Sequence, residues 1–379
     1  MIATPSRRIS KSAIPVMRPQ LPTADQLLPY LRRIDEARYY SNHGALLREF
    51  ERRMSGHFGV GEAQLAVVSN GTTALSAALV ASGAKPGKRC LLPAWTFVAS
   101  AAAVWAANLT PYFVDVAQQT WMLDPERIKR RSDLADVGAV MVVSPFGAPV
   151  DTSAWDLFTA ETGIPVIIDG AAAFDTVATI REARPGRSPI MISLHATKSF
   201  GTGEGSIILS TDEMLVHRLR QICNFGVWGA PEGQILGYNG KLSEYHAAIG
   251  LAMLDQWSDR RAKFATLTAK YVRSVGSIPN VRLSPNYGSG WISCYCNVEV
   301  DGSEQTIIER LQSRGIETRR WWQSGVHMQR AYRDLPRDPV PITDELAKRV
   351  FGLPFFHDLT DEQLATVSNG LKDAVEETA

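Results

Sequence analysis

Short apolar runs alternate with helix-like stretches between residues 65 and 210. Seven runs rich in β-branched and other aliphatic residues predict strands, at 65–68, 89–92, 111–116, 139–143, 165–168, 190–194 and 206–209. Apolar residues at helical spacing predict helices at 73–81 and 97–107. This alternation is typical of an α/β fold, in which helices cover both faces of a mostly parallel sheet.

The pattern changes after about residue 247, where helical spacing predicts one long helix that continues past Tyr271. We expect this helix to bridge two domains, because 379 residues exceed the usual domain size of about 100 to 200 residues. A smaller α+β unit then follows, with a predicted strand at 291–300 and helices at 304–314, 344–350 and 361–374. The predicted division is 1–255, the N-terminal segment and large domain, and 256–379, the bridging helix and small domain.

Composition and charge narrow the class of protein. The chain is 45% hydrophobic and its net charge is +1, so no overall field favours nucleic acid or an anionic membrane. Its apolar runs are shorter than the roughly 18 residues of a membrane helix, and the first residues, with Arg7, Arg8 and Lys11, predict a mobile leader and no secretory signal. Four scattered cysteines predict neither a disulfide framework nor a metal site. We expect a soluble, cytoplasmic protein.

Three polar motifs follow predicted strands. The segment 69–73 (Ser-Asn-Gly-Thr-Thr) follows the first strand, residues 93–97 follow the second, and Asp169 ends the fifth. Ligands gather beyond the carboxyl ends of the strands of a parallel sheet, so we expect these motifs to converge. The N–H groups at a helix start favour a phosphate, although an ordinary helix cap is the alternative. The predicted phosphate contacts are Gly71, Thr72 and Thr73.

Lys198 is the candidate nucleophile. It follows a predicted buried strand and precedes a glycine-containing loop at 201–205. A lone lysine is usually a solvated surface group, but we expect desolvation here to lower the pKa of Lys198 and free its amine. A lysine amine forms an imine with the aldehyde of pyridoxal 5'-phosphate (PLP), and a carboxylate such as that of Asp169 keeps the pyridine nitrogen protonated. The pair predicts covalent amine chemistry, with a helix cap or an ion pair as the alternative role of Asp169.

The order of these motifs resembles the DegT/DnrJ/StrS family of sugar aminotransferases. The similarity rests on residues 69–75, 93–97, Asp169, 193–198, 203–205 and 237–244, and runs from about residue 39 to about residue 366. It implies the type I PLP-dependent transferase fold, with a large domain built on a mostly parallel seven-stranded sheet and a smaller C-terminal α+β domain. It also implies PLP as the cofactor.

The resemblance implies roles for further residues around the cofactor. Ser193 matches a phosphate ligand, and an aromatic ring at 93–97 lies over the pyridine ring, with Phe97 favoured and Trp95 the second candidate. Asn239 matches a residue that reaches the phosphate of the neighbouring subunit, which implies a homodimer with shared active sites. Ala172 stands where many members have a glutamine beside the phenolic oxygen of the cofactor, and this leaves that contact to another side chain or to water.

Six residues are assigned to the substrate: Ser41, His43, His195, Arg319, Trp321 and His327. Ser41 and His43 belong to a segment that resembles the family's amino-terminal motif at the substrate mouth. His195 occupies a position where the family often has histidine, but a packed histidine is equally consistent and no catalytic step is assigned to it. Arg319, Trp321 and His327 combine cations with flat aromatics, which suits a nucleotide diphosphate and its base or, alternatively, a surface edge.

The resemblance implies transfer of an amino group from glutamate or glutamine to a keto-sugar nucleotide, during biosynthesis of an amino sugar for a surface polysaccharide or a natural product. An aminocyclitol aminotransferase and a PLP-dependent sugar dehydratase are the alternatives within PLP chemistry. Relatives that dehydrate tend to replace the lysine with histidine, and Lys198 is retained here. A non-catalytic PLP-binding regulator is the alternative of another class, because a fold does not dictate a function.

Overall fold

The computed structural model describes residues 13–378, so the predicted leader with Arg7, Arg8 and Lys11 lies outside the described residues. Its large sheet comprises β1 (Leu65–Val68), β2 (Arg89–Pro93), β3 (Thr110–Val114), β4 (Val137–Val143), β5 (Val166–Asp169), β6 (Ile190–Ser193) and β7 (Ser206–Leu209). The strand order is β1-β7-β6-β5-β4-β2-β3, and β7 runs antiparallel to both of its neighbours while the other pairs are parallel. Each predicted strand coincides with an observed one to within a few residues. The predicted seven-stranded, mostly parallel sheet is confirmed.

Helices cover both faces of this sheet. The α-helices that precede the small sheet in sequence are α1 (Ala24–Ala37), α2 (Ala45–Phe58), α3 (Gly71–Ala81), α4 (Val98–Ala106), α5 (Pro125–Lys129), α6 (Thr152–Thr162), α7 (Phe174–Thr179), α8 (Glu213–Ile222), α9 (Glu244–Asp255) and α10 (Trp257–Val275). Alternate residues of each strand point to opposite faces, so that Val67 packs into one apolar cluster and Ala66 into another. Strands β1 and β4 to β7 are buried along their whole length, which explains their continuous apolar runs.

A second, antiparallel sheet forms the smaller α+β unit. Its strands are β8 (Val281–Leu283), β9 (Cys296–Val300) and β10 (Val350–Leu353), in the order β10-β9-β8. The accompanying helices are α11 (Glu304–Ser313), α12 (Pro341–Leu346) and α13 (Asp361–Glu376). This unit confirms the second half of the predicted fold class.

The single long helix predicted from residue 247 past Tyr271 is wrong. Helix α9 ends at Asp255 and α10 begins at Trp257. At the break, the side-chain amide of Gln256 donates to the carbonyl oxygen of Ala252 at 2.8 Å, while its backbone N–H bonds to Met253. The side chain therefore takes the acceptor that a continuous helix would use. This break lies beside the proposed domain boundary after residue 255, which stays a prediction.

The predicted strand at 291–300 is too long, because β9 begins only at Cys296. The preceding backbone bonds to side chains instead of to a neighbouring strand. The N–H of Ile292 donates to Asp175 at 3.0 Å, and that of Tyr295 donates to Ser293 at 3.1 Å. This segment therefore connects the small sheet to the large domain.

The helix predicted at 344–350 is also misplaced. Helix α12 starts earlier, where the Asp115 carboxylate accepts the backbone N–H groups of Ile342 and Thr343. Val350 then begins β10 and pairs with Glu299 of β9. Both β8 and β10 were absent from the sequence-based prediction. Within residues 13–378, no helix is long and apolar enough to cross a membrane.

Candidate active site

The carboxyl ends of β1, β2, β4, β5 and β6 lie at one edge of the large sheet. Asp169 ends β5, where it pairs with Val143 of β4 and Met191 of β6. Ser193 ends β6 opposite Ser206, the first residue of β7. The loop that carries Lys198 joins these two strands and therefore lies at the same edge. The three motifs thus converge as the strand pattern predicted.

The start of α3 faces β6 closely. The side chain of Asn70 caps this helix by accepting the N–H of Thr73 at 2.9 Å. The amides of Gly71 and Thr72 also lie in the first turn, where a helix provides no acceptor for them. A Cβ on Gly71 would lie 3.2 Å from the Met191 sulfur and 3.8 Å from the Ser193 Cβ, so glycine permits this approach. Ser193 Oγ accepts the N–H of His195 at 3.2 Å, and its own hydroxyl hydrogen stays available for an anion.

Asp169 is buried, with 6% of its surface exposed. One carboxylate oxygen accepts the Ser100 hydroxyl at 2.6 Å and the other accepts the N–H of Ala171 at 3.1 Å. Burial raises the pKa of Asp169, and these two hydrogen bonds and the nearby Lys198 only partly offset that effect. A buried carboxylate at a strand end can stabilise a cationic ring nitrogen at this edge.

The Lys198 amine contacts a phenol that arrives from the small unit. Its Nζ lies 3.0 Å from the hydroxyl oxygen of Tyr295 and 5.2 Å from the centre of that ring. Burial by itself lowers the pKa of Lys198, but Tyr295, Cys294 and Asp169 outweigh it and raise that pKa to about 12. The predicted lowering of the Lys198 pKa is therefore wrong for the cofactor-free protein, because Tyr295 and Cys294 come from a distant part of the sequence.

The two aromatic candidates after β2 have different surroundings. Trp95 is 2% exposed, and its ring packs edge-on against Trp322 at 5.1 Å between centroids. Phe97 is 51% exposed at the start of α4, so a face of its ring is open to a flat ligand. The structure places Trp95 in the core and leaves Phe97 as the stacking candidate.

Ala172 and His195 both lie between Asp169 and Lys198 in sequence. Ala172 is buried in the turn after β5 and offers no side-chain donor in place of the family glutamine. His195 Nδ1 bonds to the Thr197 hydroxyl at 2.8 Å, and burial lowers the pKa of the His195 ring. The imidazole is therefore neutral at pH 7 and stabilises the turn that leads to Lys198. Its predicted substrate contact stays a prediction.

Ser41 and His43 lie in the turn before α2. The ring of His43 packs edge-on against Trp228 at 4.6 Å, and burial, with Arg220 as the next cause, lowers the pKa of His43 to about 4. Ser41 is exposed. No hydrogen bond among residues 13–378 joins this turn to the Lys198 loop, so the substrate roles of both residues stay predictions.

Arg319 and Trp321 are linked to Lys198 through Tyr295. The guanidinium of Arg319 lies 5.2 Å from the Trp321 ring centre, and the Trp321 ring lies 4.8 Å from that of Tyr295. His327, by contrast, is 1% exposed and bonds to Asp344 at 3.1 Å. So buried a ring supports the region from within, and its predicted substrate contact stays a prediction.

Asn239 is exposed in a loop whose neighbours bond to the phosphate-side motif of the same chain. The Tyr238 hydroxyl donates to the Thr73 carbonyl at 3.2 Å, and the Ser69 N–H donates to the Gly240 carbonyl at 2.8 Å. Among residues 13–378, the side chain of Asn239 accepts one long hydrogen bond, from the N–H of Lys241 at 3.4 Å. Its amide is thus available to a ligand in its own chain or in a partner.

Two functional neighbours escaped the sequence analysis. Tyr295 contacts Lys198 from 97 residues away, and Ser100 contacts Asp169 from 69 residues away. Neither has a motif or a spacing that identifies it. A weak signal exists for Ser100, because a hydroxyl in the first turn of a helix after a strand lies at the ligand edge of such a sheet.

These residues fit PLP. Gly71, Thr72 and Ser193 would form the cradle for its phosphate, and the open face of Phe97 would receive its ring. Lys198, which is half-buried, would supply the amine, and Asp169 would supply a buried carboxylate. The arrangement supplies an amine, a carboxylate, phosphate donors and an aromatic face for PLP, while Ala172 offers no side-chain donor to the phenolic oxygen of the cofactor.

Comparisons with known proteins find similarity over nearly the whole chain. Residues 23–372 match the model of the DegT/DnrJ/EryC1/StrS aminotransferase family. Protein Rv3402c of Mycobacterium tuberculosis is 30% identical over 375 residues, which cover 95% of this chain and 90% of that protein. The dTDP-4-amino-4,6-dideoxy-D-glucose transaminase of Shigella dysenteriae is 28% identical over 364 residues, which cover 94% of this chain and 98% of that enzyme.

The structure of this chain is similar to a solved crystal structure. The crystal structure of DesI in the presence of its TDP-sugar product superimposes with a TM-score of 0.87 at 27% identity, and covers 98% of this chain and 95% of DesI. The match to the family model spans nearly the whole chain, including both sheets and every residue of the candidate site from Ser41 to His327. The chain therefore belongs to the DegT/DnrJ/EryC1/StrS family and is a PLP-dependent aminotransferase.

Proposed function

We propose that the protein transfers an amino group from glutamate or glutamine to a keto-sugar carried on a nucleotide. The observation that carries this proposal is the Arg319–Trp321 pair, which lies beside the Tyr295–Lys198 contact. A cation next to an aromatic face suits a diphosphate and a base. The similarity to a dTDP-sugar transaminase and to DesI, whose product is a TDP-sugar, supports the same substrate class.

The side chains divide the work of the reaction. Bound PLP supplies an aldehyde and an electron-withdrawing ring. Asp169 would place negative charge beside the ring nitrogen, and Gly71, Thr72 and Ser193 would hold the phosphate. Lys198, once its amine is free, removes a proton from the α-carbon of the amino acid in one half-reaction and returns a proton to the sugar carbon in the other. We place the enzyme in the cytoplasm, in biosynthesis of an amino sugar for a surface polysaccharide or a natural product.

The alternatives differ in how well they suit the site. Retention of Lys198 disfavours a dehydratase, since in the family resemblance dehydration accompanies replacement of this lysine. A regulator without activity has no need for Lys198, Asp169 and Ser193 together. An aminocyclitol aminotransferase would use the same PLP site. Its substrate differs, because a cyclitol ketone carries no nucleotide for Arg319 and Trp321 to bind.

A substrate panel tests the proposal. We expect the purified protein, with PLP and either L-glutamate or L-glutamine, to aminate a keto-sugar carried on dTDP, UDP or GDP, with mass spectrometry of the sugar as the readout. An Arg319→Ala variant should raise the KM for the nucleotide sugar about tenfold or more and leave the half-reaction with the amino acid unchanged. Amination of a free cyclitol ketone only, or release of a deoxygenated sugar, would replace the proposal with one of the alternatives.

We further propose that the active unit is a homodimer with two shared sites. The loop around Asn239 exposes large apolar side chains, which include Phe225 at 55% exposure and Leu236 at 96%. Such a patch on a soluble surface is typical of a protein interface. A twofold axis through this patch would bring Asn239 to the partner's phosphate cradle.

Mixed subunits test the sharing of sites. Asn239→Ala should weaken PLP binding about tenfold, because a hydrogen bond to a charged phosphate is lost, and should leave Lys198 chemically competent. In a heterodimer of Asn239→Ala with Lys198→Ala, shared sites place both lesions in one site and leave the other intact. At a PLP concentration too low to load the Asn239→Ala protein by itself, we therefore expect activity to recover after subunit exchange. Absence of recovery would show that Asn239 serves its own chain, which its bonded neighbours near Thr73 also permit.

A further inference from the structure

The closest partner of the reactive amine comes from the small unit. The Tyr295 hydroxyl oxygen lies 3.0 Å from Lys198 Nζ, and the ammonium also lies 5.2 Å from the centre of the phenol ring. Tyr295 directly precedes β9, whereas Lys198 lies in the loop between β6 and β7 of the large sheet. The contact therefore joins the two parts of the molecule at the reacting atom.

The phenol is held in place from several sides. The Tyr295 ring packs edge-on against Phe146 at 5.6 Å and against Trp321 at 4.8 Å. Its backbone N–H donates to Ser293, whose hydroxyl donates to the Phe146 carbonyl at 2.6 Å. A ring fixed in this way presents its oxygen at one point and loses little conformational entropy when it bonds to the amine.

A phenol suits both protonation states of a lysine. Burial raises the pKa of Tyr295 above its usual value near 10, so the phenol stays protonated at pH 7. A protonated phenol accepts a hydrogen bond from an ammonium and donates one to a neutral amine. The same hydroxyl therefore remains bonded to Lys198 before and after the proton moves.

We propose that Tyr295 is a positioning residue of the reaction, whose phenol holds the Lys198 amine in one place each time that amine is free. The inference rests on the aminotransferase activity and is independent of which sugar is aminated. A purely structural Tyr295 would only connect the small sheet to the aromatic wall formed by Phe146 and Trp321. The two roles differ in whether the hydroxyl changes the titration and the rate of Lys198.

The test is Tyr295→Phe, which keeps the ring and removes the hydroxyl. Tyr287→Phe is the matched control, because Tyr287 is a phenol of the small unit whose buried hydroxyl has no hydrogen-bond partner within the described residues. The first readout is the rate at which cofactor-free protein captures PLP, followed by absorbance as a function of pH. The second is kcat and KM for the half-reaction with L-glutamate or L-glutamine. Thermal unfolding of each variant checks the fold.

We expect Tyr295→Phe to lower the pH midpoint of PLP capture by about one to two units, because loss of a partner that raises the Lys198 pKa lets the neutral amine form at lower pH. We expect kcat for the half-reaction to fall about tenfold to a hundredfold with little change in KM. Tyr287→Phe should match the wild type in both measurements. Normal folding of Tyr295→Phe with an unchanged midpoint and kcat would overturn the proposal.

Two further results distinguish a failure of the role of Tyr295 from a failure of the sugar-nucleotide assignment. PLP capture needs no sugar, so a protein that captures PLP with the predicted shift but aminates no sugar nucleotide would sink the substrate assignment and leave Tyr295 in its role. If Tyr295→Phe does not fold, 3-fluorotyrosine placed at position 295 alone keeps the ring and the hydroxyl and makes the phenol more acidic. The pH midpoint should then move, and a midpoint identical to the wild type would overturn the role of Tyr295.

Discussion

Replacing Lys198 with alanine is expected to abolish amino transfer, with a loss of at least about 10⁴-fold in the rate of each half-reaction. The residue supplies both the nucleophile that holds the cofactor and the base that moves the proton, and each role alone contributes about a hundredfold or more. The visible absorbance that arises when PLP joins a lysine should disappear as well. Stopped-flow absorbance with L-glutamate or L-glutamine measures both effects.

The Lys198→Ala protein should remain folded. Within residues 13–378 the Lys198 side chain forms a hydrogen bond with Tyr295, and the substitution also removes the cost of holding a half-buried ammonium. Lys270→Ala is a suitable control, because Lys270 forms a surface ion pair with Asp361 outside the site. That variant should keep the absorbance and the rate of the wild type. A Lys198→Ala protein with an unaltered spectrum would exclude Lys198 as the cofactor lysine.

Replacing Asp169 with asparagine is expected to lower kcat by roughly a hundredfold to a thousandfold, because a buried carboxylate that stabilises charge on the ring is exchanged for a neutral amide of the same shape. Ser100→Ala is the graded control, because it keeps the carboxylate and removes one hydrogen bond of 2.6 Å. It should cost only about tenfold. Equal losses in the two variants would mean that the charge of Asp169 is not what the reaction uses.

Thermal unfolding separates this loss of activity from a loss of structure. Burial raises the pKa of Asp169 in the folded protein above its unfolded value. The folded state therefore loses stability as the pH rises from the unfolded pKa to the folded pKa, and the ionised carboxylate costs its full penalty above that range. Asparagine removes this penalty, so Asp169→Asn should unfold at pH 7 at the same or a higher temperature than the wild type.

The large sheet and its ligand-binding edge could be predicted from the sequence because both depend on local patterns of residues. Each buried strand is a short apolar run. Asn70 lies two residues after the run that forms β1, and Asp169 ends the run that forms β5. Lys198 was identifiable in the same way, from a strand, a turn and glycines that permit the loop. Gly203, for example, adopts a φ of +92°, which side chains other than glycine rarely tolerate.

The features that the sequence did not reveal arise from side-chain contacts, most of them between residues far apart in the chain. The break at Gln256 arises from a side chain that bonds to the backbone, and apolar spacing does not register it. The pKa of Lys198 depends on Tyr295, which the fold brings from the small unit. Burial of His327 depends on the packing of α12 and its neighbours, including Asp344. Periodicity and motif spacing contain no information on these pairings.

Chemical trapping of the cofactor tests the central claim most directly. PLP-loaded protein is reduced with borohydride, which fixes the cofactor to whichever lysine holds it, and the digested peptides are mapped by mass spectrometry. We predict one modified site, Lys198, and no modification there in the Lys198→Ala protein. Attachment to a different lysine, or no attachment in protein that binds PLP, would contradict the assignment of Lys198 as the reactive amine.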